Sequence, residues 1–289
     1  MKVLVIGGTG KVGSILVRKL HEKNVKVRVL CRNAERASAL PKDVEPVVAD
    51  LVQNPDTSAE AFKGVDAVFM LNPLTPSEGV EAGLAVQYAR DAGVRRFVYQ
   101  SVHGLEEMSY IPHIAAKLAV ERAITSSGMQ WTFIRPNYFF QNDLTAKPAL
   151  EKGLYTAPVG SIGVASVDTG DIAEAEANVL TETGHENQIY NLVGPAVLTG
   201  ESCAATWSDV LGRQVRYVGN VDGWRAATRE FMPPWLNYSV GLMYKNINDR
   251  GMLSEAEDVK SAETLLNRPL RTYRDFVGQL AKTWGIAAK

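Results

Sequence analysis

Cysteine is scarce in this chain. Only Cys31 and Cys203 occur among 289 residues, with no CxxC and no Cys/His grouping, so neither a disulfide framework nor a structural metal site is expected. Long apolar runs are missing, which argues against a membrane span. The first apolar stretch, residues 3–6, runs straight into glycines and does not read as a signal peptide. No single sign of charge prevails: 31 Lys and Arg against 32 Asp and Glu give a formal net charge of -1. No global field therefore attracts nucleic acid or an anionic membrane. No repeat and no low-complexity segment is present. These absences describe a reduced, cytoplasmic chain whose partner is a small molecule, either a monomer or a homodimer. Cys31 itself lies in an apolar run and reads as a small core residue.

Hydrophobic residues make up 46% and charged residues 22% of the chain, enough for a full globular core. The first half alternates two periodicities. Apolar or β-branched runs at 2–6, 25–31, 44–49, 67–71, 96–100 and 131–135 read as strands. Between them, Val12, Ile15, Leu16, Val17 and Leu20 recur at helical spacing, as do apolar residues over 79–92 and 115–126. Gly93 closes the second of these helices and Pro112 stands where a first-turn proline belongs. Strands joined by helices of this length need right-handed crossovers, so the expected fold is α/β, a Rossmann doubly wound parallel sheet. After Asn137 the pattern changes. Residues 138–167 read as irregular, 171–180 as a helix, 188–193 as a strand and 200–211 as a helix. Three further helix-like stretches follow Pro233-Pro234-Trp235 and end near Trp284. The expected layout is a cofactor domain over 1–150, with 165–185 packing back on it, and a smaller C-terminal substrate-binding lobe over 151–289.

Gly7-Gly8-Thr9-Gly10-Lys11-Val12-Gly13 falls between the first strand and the first helix. Gly7 permits a tight turn, Gly10 lets the backbone approach a pyrophosphate, and Gly13 lets the helix pack closely on the strand. The helix N-terminus then faces the phosphates. Glycine turns join many strands to helices, but one placed six residues into a βαβ chain reads as a dinucleotide-binding loop. An acid at the end of the second strand would hold a ribose diol and repel a 2′-phosphate. This chain offers Cys31-Arg32-Asn33 instead, with Arg36 one turn further on. Arg32 can stack on adenine and pair with the phosphate, so NADPH is expected over NADH. Asp50, ending the third strand, reads equally as an acceptor for the adenine amino group and as a helix N-cap.

Taken together, GGTGKVG, the Arg32 strand end, Asp50-Leu51, Asn72-Pro73, His113-x-x-x-Lys117, Arg135-Pro136-Asn137 and Asp168-x-x-Asp171-Ile172-Ala173 resemble the NmrA-like atypical short-chain dehydrogenase/reductases. That group spans bacterial quinone and triphenylmethane-dye reductases, isoflavone-type reductases and NADP-sensing regulators. The likeness covers residues 1 to about 185. It implies cofactor contacts from the loop (Thr9, Lys11 and Val12 with the glycines), from Leu51, from Leu71-Asn72-Pro73, from Ser101 and Lys117, and from Pro136-Asn137-Tyr138.

One position departs from the family pattern. Typical members carry Tyr-x-x-x-Lys, in which the lysine holds the nicotinamide ribose and depresses the pKa of a proton-donating tyrosine. Here Lys117 is present but His113 stands at the tyrosine position. Spacing of four keeps both on one helical face, beside the strand end that bears Ser101. The resemblance thus implies an oxidoreductase, passing hydride from NADPH to a small unsaturated or aromatic acceptor of quinone, enone, imine or dye type. A quinone yields a stabilised phenolate and needs little acid. His113, with an ordinary pKa of about 6.5, is a candidate proton donor. Tyr138 is an alternative, whereas Tyr110 reads as lining. Tyr138-Phe139-Phe140, with Trp131 upstream, is a candidate apolar wall of a substrate pocket. The rival reading, favoured by the missing tyrosine, is a non-catalytic NADP(H) sensor.

Overall fold

A computed structural model describes residues 1–286. The chain opens with β1 (Lys2–Ile6), α1 (Gly13–Glu22), β2 (Lys26–Cys31), α2 (Ala34–Ser38), β3 (Glu45–Val48), α3 (Pro55–Glu60) and β4 (Ala67–Met70). It continues through α4 (Glu78–Asp91), β5 (Arg96–Gln100), α5 (Pro112–Thr125) and β6 (Gln130–Pro136). A 3-10 helix over Phe140–Thr145 precedes α6 (Lys147–Leu150), β7 (Leu154–Tyr155), α7 (Thr169–Thr181) and β8 (Gln188–Leu192). The rest is α8 (Gly200–Leu211), β9 (Arg216–Tyr217), α9 (Val221–Thr228), α10 (Pro234–Arg250), α11 (Ala256–Leu266) and α12 (Tyr273–Trp284).

The chain divides into two compact units that interleave along the sequence. The first holds Met1–Leu105, Ile114–Arg135 and Ile172–Asn191; the second holds Glu106–His113, Pro136–Asp171 and Leu192–Lys289. Because the chain passes back and forth, no single residue number separates them.

The first unit is built on the seven-stranded sheet, in the order β3-β2-β1-β4-β5-β6-β8. Each pairing from β3 to β6 is parallel, with Val5 of β1 opposite Val29 on one side and Phe69 on the other. This is the doubly wound Rossmann sheet expected from the alternating pattern. All four residues of β4 are buried, as a central parallel strand covered on both faces requires. Helix α1 turns Leu16, Val17 and Leu20 inward, the residues whose helical spacing stands out in the sequence. Phe62, Phe97, Tyr99 and Phe133 join one buried apolar cluster with Leu4, Val68 and Met70. Strand order reverses between β1 and β4, so the crevice outside their carboxyl ends is where a ligand is received in such sheets.

The second unit contains the two-stranded parallel sheet of β7 and β9 and helices α8 to α12. The stretch read as irregular, 138–167, carries the 3-10 helix, α6 and β7, and α9 precedes the three later helices. Helices α2 and α3 span only 5 and 6 residues, too short for an apolar period to register. Their ends are nonetheless written locally: Asn33 Oδ1 caps the Arg36 N–H at 2.9 Å, and Pro55 opens α3.

Candidate functional site

At the carboxyl end of β1, Gly7 has φ +89°, and a Cβ added there meets Leu71 O at 2.5 Å. A side chain is therefore excluded both by conformation and by the neighbouring strand end. A Cβ at Gly13 meets Gly7 O at 2.2 Å, so the start of α1 packs against the loop only because Gly13 lacks one. Gly10 differs. Its N–H donates to Gly7 O at 2.9 Å, and an added Cβ meets nothing but Gly7 O at 3.2 Å. Two of these glycines are needed by the protein's own packing, while at the third an added Cβ has Gly7 O as its one close neighbour.

A cavity of about 250 Å³ lies over this loop. It gathers Gly7, Thr9, Gly10, Arg32, Arg36, Asp50, Leu51, Leu71, Asn72 and Pro73 from the ends of the first four strands. Cys31 also lines it; burial pushes its thiol pKa up, as suits a core thiol. Val12 is buried behind the loop, and Lys11 is exposed outside the lining. Asn72 is 4% exposed, yet neither its Nδ2 nor its Oδ1 has a hydrogen-bond partner. Asp50 Oδ1 accepts the N–H groups of Val52 and Gln53 at 2.9 and 3.0 Å, closing a turn ahead of α3; the N-cap of that helix is Asn54, so Asp50 is not its cap.

Further along the sheet, at the end of β5, Ser101 Oγ is buried without a partner, as is Gln100 Oε1 beside it. Lys117 lies on α5 and is also buried. Its Nζ donates to Glu78 Oε1 at 3.1 Å and to the Tyr99 hydroxyl at 3.5 Å. Burial raises the Glu78 carboxyl, and the ammonium of Lys117 pulls it back only in part. Sequence reasoning missed Glu78. The available signal was its place on the inward stripe of α4 with Ala82, Ala85 and Ala89, where a carboxylate without a partner is costly. Arg135, of the Arg-Pro-Asn motif, grips Glu121 with two hydrogen bonds of 3.0 and 2.7 Å, tying β6 to α5.

The remaining candidates belong to the second unit. His113 Nδ1 shares a 2.7 Å hydrogen bond with Ser239 Oγ on α10, and its backbone N–H donates to the same oxygen at 3.2 Å. Tyr138 shares a 2.9 Å bond with the Tyr244 hydroxyl; burial and that neighbour push its pKa well up, so it holds its proton firmly. Asn137 Nδ2 donates to Met252 O at 2.9 Å and its Oδ1 accepts the Tyr138 N–H, while Pro136 is buried beside it. Tyr110 exposes its ring and donates from its hydroxyl to Asn246 Oδ1.

Two members of the proposed apolar wall lie elsewhere. Trp131 is the second residue of β6, at the amino end of the strand, and stacks on Phe133 at 4.4 Å. Phe140 is buried against Tyr273 and Phe276 in the core of the second unit. Aromatic residues after a strand filled a core here. The motif residue Asp171 is likewise structural, accepting from Arg268 and Arg271 in the second unit.

Residues 1–261 match a family model described as the NmrA-like family. The chain is 34% identical over 290 residues to an NAD(P)H azoreductase of Xenophilus azovorans, covering 99% of this chain and 100% of that protein. It is 33% identical over 288 residues to a (4-alkanoyl-5-oxo-2,5-dihydrofuran-3-yl)methyl phosphate reductase of Streptomyces griseus, covering 98% and 99%. Among solved structures, the Citrobacter sp. triphenylmethane reductase complexed with NADP(H) superposes with a TM-score of 0.85 at 26% identity, covering 97% of this chain and 100% of that one.

Proposed function

The chain belongs to the NmrA-like family, and from that premise we propose that it is an NADPH-dependent reductase passing hydride to a small conjugated acceptor of quinone, enone, imine or dye type. Three relatives that align over nearly its full length are named as reductases, two of them with nicotinamide cofactors. Within the protein, the observation that carries the reading is Asn72. Its amide is buried at the cavity over the glycine loop, with both polar atoms unsatisfied. Leaving such a group without partners costs about 1–3 kcal/mol, a cost a bound ligand removes. At Gly10, where an added Cβ has only Gly7 O as a close neighbour, the backbone can approach a phosphate. These residues fit a dinucleotide.

NADPH, when bound, supplies the hydride. The loop from Gly7 to Gly13 and the N-terminus of α1 would hold the pyrophosphate, with Arg32 and Arg36 toward the 2′-phosphate and Leu51 against the adenine. Asn72, Leu71, Pro73, Ser101 and Lys117 would serve the nicotinamide half, with Asn137 and Tyr138 as further contacts. For Lys117 to hold a ribose, its ammonium must be shared with Glu78. His113, one turn earlier on the same helix, has its imidazole oriented by Ser239, so its remaining nitrogen is the candidate proton donor. Tyr138, held by Tyr244, is the weaker donor. Cytoplasmic residence is part of the proposal, since the two buried free thiols suit a reducing compartment.

Anaerobic NADPH oxidation against quinones, enones, imines, azo compounds and triphenylmethane dyes tests the reading. Turnover with one of these classes is expected. His113→Phe should then cut imine reduction by about 10²–10⁴-fold and quinone reduction far less, because the quinone product anion needs little acid. Tight NADPH binding without turnover on any acceptor would instead select the sensor, the reading that the histidine in place of tyrosine favours.

A further inference from the structure

Helix α5 begins at Pro112, so the backbone N–H of His113 lies in the first turn, where no carbonyl of the same helix receives it. It donates instead to Ser239 Oγ on α10, at 3.2 Å, and the same oxygen stands 2.7 Å from His113 Nδ1. Ser239 is 0% exposed, and among the described residues these are the two hydrogen bonds of its side chain. Other helical hydroxyls of this chain turn to the carbonyl four residues back, as Thr228 does to Trp224 O and Ser208 to Ala204 O. Ser239 makes no such bond among the described residues. A serine hydroxyl has one hydrogen and two lone pairs. The backbone N–H of His113 takes one lone pair, and the hydrogen has a single acceptor in reach, Nδ1. If Nδ1 carried a hydrogen of its own, the Ser239 hydrogen would be buried without a partner, which folded proteins avoid.

We infer that Ser239 donates its hydroxyl hydrogen to Nδ1 and so holds neutral His113 in the tautomer that carries its hydrogen on Nε2. Ser239 is a positioning residue, since it acts through His113; its use in turnover rests on the reductase reading above. In this tautomer Nε2–H stands in for the O–H of the tyrosine in the family pattern, one neutral donor replacing another. Such a donor meets a lone pair on the group that takes up the charge of the hydride, the oxygen of a quinone or enone or the nitrogen of an imine or azo compound. With the hydrogen on Nδ1, Nε2 would be an acceptor and would repel those same lone pairs. The helix that carries Ser239 is itself pinned within the second unit. Asn246 Oδ1 accepts from the Tyr110 hydroxyl at 3.0 Å, Tyr244 shares a 2.9 Å bond with Tyr138, and Asn248 Nδ2 donates to Pro158 O at 2.9 Å.

Nitrogen NMR of the intact protein, its histidines labelled with the heavy isotope, tests this at about pH 8, where a histidine of ordinary pKa is neutral. The chain has 4 histidines, and the signals missing from His113→Phe identify the one in question. In the wild type Nε2 should carry the hydrogen and Nδ1 should not. Ser239→Thr keeps a hydroxyl and should leave the hydrogen on Nε2, whereas Ser239→Asp, whose carboxylate only accepts, should bring a hydrogen onto Nδ1. In turnover, Ser239→Ala should lower imine reduction about tenfold, the size of one hydrogen bond, with NADPH affinity within about twofold, and Ser239→Thr should restore the rate. The wild-type spectrum decides the tautomer by itself, so the outcome does not depend on every variant folding. A wild type with the hydrogen on Nδ1 overturns the inference and leaves the reductase reading standing. Nε2–H in a protein that turns over no acceptor overturns the reductase reading and supports the assignment of Ser239.

Discussion

In the first unit, the amide of Asn72, the hydroxyl of Ser101 and Oε1 of Gln100 are buried without partners. In the second unit, Asp143 is also buried, but it accepts from the Tyr155 hydroxyl at 3.1 Å, from Trp207 Nε1 at 3.3 Å and from the Tyr273 hydroxyl. Trp207 Nε1 also reaches the Tyr273 oxygen at 3.0 Å, so this cluster satisfies itself. Each unpartnered buried group costs about 1–3 kcal/mol, and a fold keeps such groups where something else completes them. A self-satisfied buried network instead contributes to the stability of its own core. The same kinds of side chain are thus left without protein partners in one unit and satisfied within the fold in the other.

The largest expected effect lies at Asp143. Asp143→Ala strands the buried hydroxyls of Tyr155 and Tyr273, while Trp207 keeps the Tyr273 oxygen, and should cost about 3–5 kcal/mol in chemical denaturation, leaving cofactor affinity of the folded fraction unchanged. A loss below about 1 kcal/mol would show that the cluster is not a structural centre. Burial pushes the Asp143 carboxyl from its ordinary 3.8 up to about 6, against the pull of its three donors. A raised folded pKa means the protonated form stabilises the fold. That contribution is fully present below about pH 3.8 and is lost as pH rises through about 6, amounting to about 3 kcal/mol. Comparing the wild type with Asp143→Asn across this window isolates the slope, because the amide does not titrate.

Next comes Gly10→Val. The fold should survive by circular dichroism, because the added Cβ meets only Gly7 O, while NADPH affinity should fall about 100-fold or more. Normal NADPH binding by the folded variant would reduce the loop to a turn. Arg32→Ala is smaller: the preference for NADPH over NADH should shrink by about 1–3 kcal/mol in calorimetry with little change in melting temperature. The smallest change in stability is expected at Asn72. Asn72→Leu removes unsatisfied atoms from a buried site and should alter stability by less than about 1 kcal/mol while lowering NADPH affinity about tenfold. A marked loss of stability there, with affinity kept, would erase the contrast between the two units.

Much of the first unit was legible because its signals are local. The period-two and helical runs of β1, α1 and β2, and Gly7 and Gly13, each answer to a physical demand within a few residues. Asp50 was legible only as two alternatives, since a strand-end carboxylate suits a cap and a ligand equally. The apolar wall was misjudged at Trp131 and Phe140 because an aromatic side chain carries no mark of whether it meets core or ligand. Glu78 was missed because it is a charge hidden on an apolar stripe.

By itself, the sequence determined the order of strands and helices, the parallel sheet and the nucleotide loop, since backbone conformation and apolar periodicity act over short spans of chain. Only the tertiary structure decided what each buried polar group touches. Lys117 finds Glu78 across 39 residues, His113 finds Ser239 across 126, and Asp143 finds Tyr273 across 130. Such partnerships arise where distant segments are packed together with water excluded. Neighbours in sequence do not encode them, because the energy of each bond depends on the burial that the whole fold creates.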